Sequence, residues 1–188
     1  MNLKWFLPLP LLLLSFSFLW WFTLGFSAFT VFSYTLKKAG TPPYPVPSIK
    51  LICHNGKVVS LHNFEKRDIY VNFIYLSCYY GCPISLTKMF YLIKNSNGGD
   101  IFISVSVDPE RDTIPKLKER WHLLGGFNHW LFCKPLEKNW KPKFLKMGVW
   151  VYRRKDGLIN HTLEIFRIRN KKVVEVIPVT ATTEVSGS

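Results

Sequence analysis

The chain has 188 residues, of which 48% are hydrophobic and 16% are aromatic, enough for one folded domain with accessory segments. Its 25 basic residues outnumber its 12 acidic residues, which gives a formal net charge of +13. The basic residues are scattered, with no arginine-rich block in the soluble part, so the composition argues against nucleic-acid binding. It favours a charged face towards a membrane or an acidic redox partner.

The N-terminal segment, residues 5–36, contains no charged side chain between Lys4 and Lys37. About 20 apolar residues cross a bilayer core of about 30 Å, so this length predicts one transmembrane helix. A cleaved signal peptide is the alternative, but its apolar core would span only about 7–15 residues. We therefore expect residues 1–38 to form an uncleaved membrane anchor. Basic residues flank both ends, so the positive-inside rule gives no orientation.

Residues 39–48, AGTPPYPVPS, are dense in proline and predict a stiff, extended linker to a domain over residues 49–178. Asn55-Gly56 then separates two short apolar runs, which is a strong signal for a β-hairpin. Residues 179–188 are small and polar, and we expect this tail to fray.

The domain alternates strand and helix patterns along the chain. Residues 69–76 form an apolar run typical of a strand buried on both faces. Apolar residues at helical spacing follow over residues 84–93. A second β-branched run covers residues 101–107, and a helix is predicted from residue 112 or 113 to about residue 124.

The C-terminal half contains shorter strand patterns. They cover residues 130–133, 149–152, 163–169 and 172–177, and residues 134–146 look irregular. This order predicts a parallel crossover unit joined to an antiparallel hairpin. We therefore expect an α/β, thioredoxin-like fold, with a central mixed sheet flanked by helices, an N-terminal β-hairpin and one preceding transmembrane helix.

Two cysteines lie where the first buried strand passes into a helix. Cys78 and Cys82 are separated by three residues, and Pro83 follows at a position that suits the first turn of a helix. Because Cys82 would lie at the helix N-terminus, we expect the helix dipole to favour its thiolate. Two thiolates are soft ligands that select Cu(I) among other soft metals, and a third donor is needed.

Spacing alone leaves the third donor open. His161 is favoured because it follows a predicted turn and precedes the strand of residues 163–169. The other candidates are His54, His62, His122, His129, Cys53 and Cys133. We expect both of these cysteines to be small buried hydrophobic residues, and His54 to be an exposed turn residue. The alternative to a functional site is a structural disulfide between Cys78 and Cys82, or two core thiols.

Four motifs in the domain identify a family resemblance. They are NGKVVSL at 55–61, CYYGCP at 78–83, ISVSVDPERDT at 103–113 and NHT at 160–162. With these motifs, residues 47–177 resemble the Sco/SenC family of membrane-anchored copper chaperones. The combination is specific, whereas each motif alone would be weak.

The resemblance implies a thioredoxin fold in which Cys78, Cys82 and His161 bind copper as Cu(I), with Cu(II) tolerated if an oxygen ligand joins. It implies a metallochaperone that helps assemble the dinuclear copper centre of cytochrome c oxidase. The expected partners are the copper-site subunit of the oxidase and other copper or thiol-redox carriers. The implied location is a single-pass membrane anchor with the domain in the periplasm or the mitochondrial intermembrane space.

A thiol–disulfide oxidoreductase is the alternative function. In it, Cys78 and Cys82 form a redox pair that keeps the cysteines of the oxidase copper site reduced. We expect a metal-binding chaperone first and an enzyme second. Two departures from the family pattern bear on copper affinity and on which partner is served, while the expected ligands are intact. Tyr79 stands where the family often has proline, and Asn160 stands where it often has an acidic residue before the late histidine.

Overall fold

The structure, a computed structural model of the chain, describes residues 8–26, 30–64, 66–79 and 81–179. The predicted tail falls mostly outside this description. The helices are α1 (Pro8–Phe22), α2 (Val31–Ala39), α3 (Gly81–Lys94), α4 (Ile114–Leu123) and α5 (Trp140–Lys146), with a 3₁₀ turn at Leu61–Asn63. The strands are β1 (Tyr44–Pro45), β2 (Lys50–Cys53), β3 (Val58–Ser60), β4 (Ile69–Ile74), β5 (Ile101–Ser106), β6 (Trp130–Pro135), β7 (Val151–Arg153), β8 (Ile159–His161), β9 (Ile165–Arg169) and β10 (Lys172–Ile177).

An 8-stranded sheet with the strand order β1-β10-β9-β4-β5-β6-β2-β3 forms the centre of the fold. β4, β5 and β6 run parallel, and the other neighbouring strands pair antiparallel. Every residue of β5 is buried, as its apolar run predicts for a strand covered on both faces. The mixed sheet with flanking helices and the β2–β3 hairpin are therefore confirmed.

The crossover from β4 through α3 to β5 determines where the two cysteines lie. α3 buries one face, on which Leu86, Met89 and Ile93 follow the helical period. In open α/β sheets, ligands bind beyond the carboxyl ends of the parallel strands. The loop between β4 and α3 lies at that edge.

β7 and β8 form a separate two-stranded sheet, which we call the satellite hairpin (residues 151–161). In its register Val151 is opposite His161 and Arg153 is opposite Ile159. The sequence predicts a strand near β7, but it gives no signal for β8, which is only three residues long. The satellite hairpin therefore reaches the rest of the domain through side chains rather than through ladder hydrogen bonds of the central sheet.

The predicted transmembrane helix is not confirmed. Within the part of the chain that the structure describes, no helix has both the length and the apolar character that a bilayer crossing requires. α1 has 15 residues. α2 is a separate helix because the side chain of Thr30 accepts from the Ser33 N–H and starts it anew, and Leu36 packs against the core. Residues 1–7 and 27–29 of the predicted anchor lie outside the described residues.

The segment predicted as a linker is partly docked on the domain. Tyr44 and Val46 are buried, and β1 pairs with β10 at the edge of the sheet. The Tyr44 hydroxyl donates to the carbonyl oxygen of Met147 at 3.0 Å, and burial raises the pKa of Tyr44 to about 12. An amphipathic aromatic side chain among prolines explains this docking, which proline content alone does not predict.

The prediction that residues 134–146 are irregular is wrong for their second half, which forms the helix α5. Trp140 and Phe144 are buried one turn apart, and Pro142 lies in the first turn, where its missing N–H leaves no hydrogen bond unmade. With 7 residues, α5 is too short to show a helical period. It is held by packing, since Phe144 meets Phe73 of β4 edge to face at 4.9 Å between centroids.

Candidate metal centre

The two site cysteines lie on either side of the junction between a loop and a helix. Residues 75–80, which we call the thiol loop, carry Cys78, and Cys82 is the second residue of α3. Residue 80 lies outside the description. Cys78 is half-buried, Cys82 is 3% exposed, and both are thiols. The Cys78 N–H donates to the carbonyl oxygen of Tyr75 at 3.1 Å, which tightens the loop.

The electrostatics of the pair differ from the prediction for Cys82. The N–H of Cys82 donates to Cys78 Sγ at 3.2 Å, so the helix N-terminus favours negative charge on the Cys78 sulfur. The hydrogen bond with Cys78, together with burial, raises the pKa of the Cys82 thiol. The expectation of a thiolate at Cys82 is therefore wrong for the metal-free protein. The sequence predicts the helix start but not which sulfur faces it.

His161 lies at the end of β8 and turns its ring towards Cys82. Its Nε2 is 3.5 Å from Cys82 Sγ, and its Nδ1 is 2.8 Å from the carbonyl oxygen of Thr162. Because a carbonyl oxygen only accepts, Nδ1 carries the proton and Nε2 keeps its lone pair for the site. The Tyr75 ring meets the imidazole edge to face, with centroids 5.7 Å apart. His161 is therefore held in the tautomer that a metal ligand needs.

One ligand atom from each of Cys78, Cys82 and His161 lies within 4.8 Å of the other two. Metal–sulfur bonds of about 2.3 Å in a trigonal site place neighbouring ligand atoms about 4 Å apart. The donor set fits a soft metal, since two sulfurs and one imidazole nitrogen converge. Among the described residues, this is the one group of three histidine, cysteine or acidic side chains with such spacing. The structure thus brings together the three predicted site residues, and their role as ligands stays a prediction.

His54 is buried, contrary to the expectation of an exposed turn residue. Its ring stacks on Trp121 at 4.5 Å between centroids, and its Nδ1 accepts from the Phe132 N–H at 3.2 Å. Burial lowers the pKa of His54. A neutral His54 is therefore part of the packing between β6 and α4, away from the thiols.

The other histidines also have neighbours outside the site. His62 Nε2 lies 2.8 Å from a backbone carbonyl oxygen. The His122 ring lies against Trp121 at 4.7 Å between centroids, and the His129 ring meets Phe102 at 5.8 Å. Of the histidines that the sequence leaves open as third donors, the structure brings only His161 to the two site thiols.

Cys53 and Cys133 form a disulfide between β2 and β6. The prediction that both are buried is correct, since each is 0% exposed, but the prediction of unpaired hydrophobic side chains is wrong. They are opposite each other in the antiparallel register, 80 residues apart in sequence. Only strand pairing brings them together, and the sequence offered one signal, an even number of cysteines.

The two departures from the family pattern both lie on the outside of the site. Tyr79 is 81% exposed, and Asn160 is exposed on the face of β8 opposite to His161. A carboxyl group does lie near the imidazole, but it comes from Glu164. Burial raises the pKa of Glu164, and the neighbouring His161 acts in the opposite direction.

A small apolar cavity of about 260 Å³ adjoins both thiols, between α3 and α4. Leu86, Phe90 and Leu124 line it, and Arg120 contributes its one charged side chain. The Arg120 guanidinium donates to the carbonyl oxygen of Leu76 at 3.5 Å. The sequence gives no indication of this cavity, because its walls come from two helices. It gives the thiol side of the site a route to solvent.

Comparison with known proteins identifies the family that these features resemble. Residues 41–125 match the family model described as SCO1/SenC. The resemblance predicted from the motifs is therefore confirmed. The match covers the thiol loop and the VDPERDT motif, and it ends before the satellite hairpin. No curated protein sequence matches the chain significantly.

Solved structures of Sco proteins share the fold. A SCO1/SenC family lipoprotein from Bacillus anthracis has 17% identity and a TM-score of 0.68, covering 76% of this chain and 89% of that one. Bradyrhizobium japonicum ScoI with copper bound has 20% identity and a TM-score of 0.59, covering 73% and 92%. BsSco, described as a member of the Sco family of cytochrome c oxidase assembly proteins, has 24% identity and a TM-score of 0.60, covering 72% and 83%. The Sco-type, thioredoxin-like fold of this chain is confirmed.

Proposed function

We propose that this protein is a copper chaperone of the Sco/SenC family, with copper as its cargo held by Cys78, Cys82 and His161. The observation that carries the proposal is the convergence of two sulfurs and one imidazole nitrogen within 4.8 Å. The solved ScoI structure from Bradyrhizobium japonicum has copper bound, which supports the choice of metal. Soft thiolates favour Cu(I) over the harder divalent ions.

The site suits binding and release of Cu(I) by ligand exchange. Cys82 gives up its proton to solvent when copper binds, because only the thiolate is a strong ligand. His161 supplies the neutral Nε2, while its Nδ1 keeps its proton and donates it in a hydrogen bond to the carbonyl oxygen of Thr162. Cys78 is the more exposed sulfur, so an incoming acceptor thiolate reaches copper from its side and replaces it first.

The acceptor in this proposal is the subunit of cytochrome c oxidase that holds the dinuclear copper centre. BsSco, which shares this fold, is described as a member of a family of oxidase assembly proteins. The net charge of +13 suits an acidic partner surface. Assembly of that centre is therefore the role we assign to copper transfer.

A titration with Cu(I) tests the ligand set. The reduced full-length protein is titrated in competition with a coloured Cu(I) chelator, and we expect one copper per chain. His161→Ala should weaken binding about tenfold or more, because one of three donors is lost. His122→Ala, which removes an exposed histidine elsewhere, is the matched control and should bind as tightly as the parent. Full affinity in His161→Ala would remove His161 from the ligand set, and no binding by the parent would overturn the proposal.

A thiol–disulfide reductase is the second candidate, favoured by the contrast between the two sulfurs. Cys78 is the more exposed and accepts an N–H from the helix N-terminus, which suits the attacking thiolate. It would attack a partner disulfide and release one partner thiolate. The buried Cys82, after losing its proton, would then attack the mixed disulfide, so that the products are a Cys78–Cys82 disulfide and a reduced partner dithiol.

Dependence on His161 separates the two functions. Reduction of a model peptide disulfide by the metal-free protein is followed for the parent, His161→Ala and Cys82→Ser. A reductase needs Cys82 and keeps its rate in His161→Ala, whereas a dedicated chaperone shows slow peptide reduction in all three. Fast reduction that survives His161→Ala would favour the second candidate.

We also propose that residues 1–38 attach a domain of residues 49–178 to a membrane, with the domain in the periplasm or the mitochondrial intermembrane space. α1 exposes a run of large apolar side chains, among them Leu11, Leu14 and Trp21. The buried Cys53–Cys133 disulfide suits an oxidising compartment. Flotation of the full-length protein with lipid vesicles tests the attachment, and a protein that stays at the bottom of the gradient would contradict it.

A further inference from the structure

The acidic turn after β5 belongs to a motif that the proposed ligand set leaves without a role. Asp108 and Asp112 are each 2% exposed, although both carry carboxyl groups. The turn is tightly closed, because the N–H groups of Arg111 and Asp112 both donate to the carbonyl oxygen of Asp108, at 3.1 and 2.9 Å. Ser106 Oγ accepts from the Asp108 N–H at 3.0 Å. Two buried carboxyl groups on one rigid turn need a structural or functional reason.

One of these carboxyl groups holds the thiol loop. Asp112 Oδ2 accepts from the Leu76 N–H at 3.2 Å and from the Ser106 hydroxyl at 2.6 Å. Leu76 lies two residues before Cys78 and has just left the central sheet. The backbone that carries Cys78 is therefore tied to the end of β5 by a side chain, where no strand ladder continues.

The other carboxyl group holds the satellite hairpin. Asp108 Oδ1 accepts from Arg153 Nη2 at 2.7 Å in an ion pair whose carboxylate side chain is buried. Arg153 is opposite Ile159, and Val151 is opposite His161, so all four side chains share one face of the hairpin. That face is turned to the domain, since Ile159 is buried. The arginine that binds Asp108 therefore lies on the same face as the imidazole.

The base and the tip of the hairpin are held differently. At the base, the Trp150 N–H donates to Thr162 Oγ1 at 2.9 Å, and the Thr162 N–H donates to the Trp150 carbonyl oxygen at 3.0 Å. Towards the tip, Arg154 pairs with Asp156, but this pair is exposed and joins the hairpin only to itself. Arg153 makes the ion pair that connects the far half of the hairpin to the domain.

We propose that the turn of residues 108–112 sets the distance between the two thiols and His161. Asp112 fixes the thiol loop, and Asp108, through Arg153, fixes the hairpin that carries the imidazole. Asp108, Asp112 and Arg153 are positioning residues, since none of them lies in the ligand group. Two measurements test this inference. The measurement of copper affinity rests on the proposed copper site, whereas the measurement of amide hydrogen exchange is independent of it.

The metal-free readout is amide hydrogen exchange in the full-length protein. Arg153→Ala should raise exchange of the hairpin amides, residues 151–161, by about tenfold, because the far half of the hairpin opens more often. Arg154→Ala is the matched control, removing a neighbouring arginine whose partner lies within the hairpin, and should leave residues 159–161 unchanged. Arg153→Lys keeps a cation and should restore most of the protection. Equal exchange in Arg153→Ala and the parent would overturn the role of Asp108.

Asp112 is tested at the thiol loop in the same way. Asp112→Ala removes the acceptor of the Leu76 N–H, and Asp112→Asn keeps an oxygen in its place. We expect faster exchange of the Leu76 amide in Asp112→Ala and near-parent exchange in Asp112→Asn. If Asp112→Ala does not fold, Ser106→Ala, which loosens the same carboxyl group, should show a smaller increase at Leu76. Unchanged exchange at Leu76 in the folded variant would overturn this half of the proposal.

The copper readout uses a double-mutant cycle. Arg153→Ala should lower Cu(I) affinity about tenfold in the parent and have little effect in the His161→Ala background, where no imidazole remains to be positioned. An equal loss in both backgrounds would show that Arg153 acts on the whole fold and would overturn the positioning role. If His161→Ala itself leaves copper affinity unchanged, the proposed ligand set fails, while the exchange measurements still decide the role of the turn.

Discussion

The two halves of the candidate site are supported in different ways. Cys78 and Cys82 lie at the junction of β4 and α3, beyond the carboxyl end of a strand that is central in the sheet order. His161 lies on a two-stranded hairpin outside that sheet. The thiol half is therefore held by the packing of β4 and α3, with Asp112 fixing the loop that carries Cys78, whereas the imidazole half depends on side-chain contacts alone.

This difference means that the thiol half of the site is held more rigidly than the hairpin that carries His161. Cys82 cannot move far without disturbing α3, which buries one face on the sheet, and Cys78 is tied to the turn after β5 through Asp112. The hairpin can move with less loss of packing, because side-chain contacts join it to the domain. Among them are the Arg153–Asp108 ion pair, the buried Ile159 and the hydrogen bonds around Thr162. We expect substitutions in the two halves to separate stability from copper affinity.

The largest effect on the free energy of unfolding is expected at the Cys53–Cys133 disulfide, which joins two strands of the central sheet and not the satellite hairpin. Replacing both Cys53 and Cys133 with alanine removes a cross-link spanning 80 residues, and the unfolding free energy should fall by about 4 kcal/mol. Urea denaturation measures this change. Copper affinity of the folded variant is the internal control and should match the parent. A parent-like midpoint would mean that the β2–β6 edge is held without the cross-link.

Loss of a thiol should reduce copper affinity more than loss of the imidazole. Cys82→Ser replaces a soft sulfur with a hard oxygen, and we expect Cu(I) affinity to fall about a hundredfold, against about tenfold for His161→Ala. The same chelator competition measures both. Equal losses would indicate that the hairpin half contributes as much as the sheet half, and the contrast between them would not hold.

Proton release should distinguish the two halves as well. Because the Cys78 hydrogen bond and burial raise the pKa of Cys82, this thiol is protonated before copper binds. Apparent Cu(I) affinity should therefore increase with pH, by about tenfold per pH unit for each proton released, and decrease as the pH falls. Titrations at several pH values measure the slope. Cys82→Ser should release one proton fewer, and a slope equal to that of the parent would contradict the assignment.

The smallest effect is expected where the two halves touch. A Cβ at Gly81 would lie 2.7 Å from Cδ2 of Leu163, two residues beyond His161. Gly81→Ala should push the flexible leucine aside, with a stability loss of about 1 kcal/mol and a loss of copper affinity of a few fold. Gly99→Ala, where a Cβ meets no atom within 4 Å, is the control. If both variants behave alike, this contact does not couple the halves.

Elements whose signal is local were predictable from the sequence. The buried strands β4 and β5, the apolar face of α3 and the hairpin turn at Asn55 each follow from residues within one element or one turn. The helix α5 and the strand β8 were not predicted, because each is too short to show a period. The predicted linker was misjudged at Tyr44, since proline content gives stiffness but not the partner on which a segment packs.

The positions of the two thiols between a buried strand and a helix follow from the local sequence, because their neighbours along the chain define both elements. His161, 79 residues after Cys82, faces them only because of the way the domain folds. The pairing of Cys53 with Cys133 and of Asp108 with Arg153 likewise depends on the folded arrangement. Contacts between distant residues depend on strand order and register, which set a direction for each side chain that no local pattern contains.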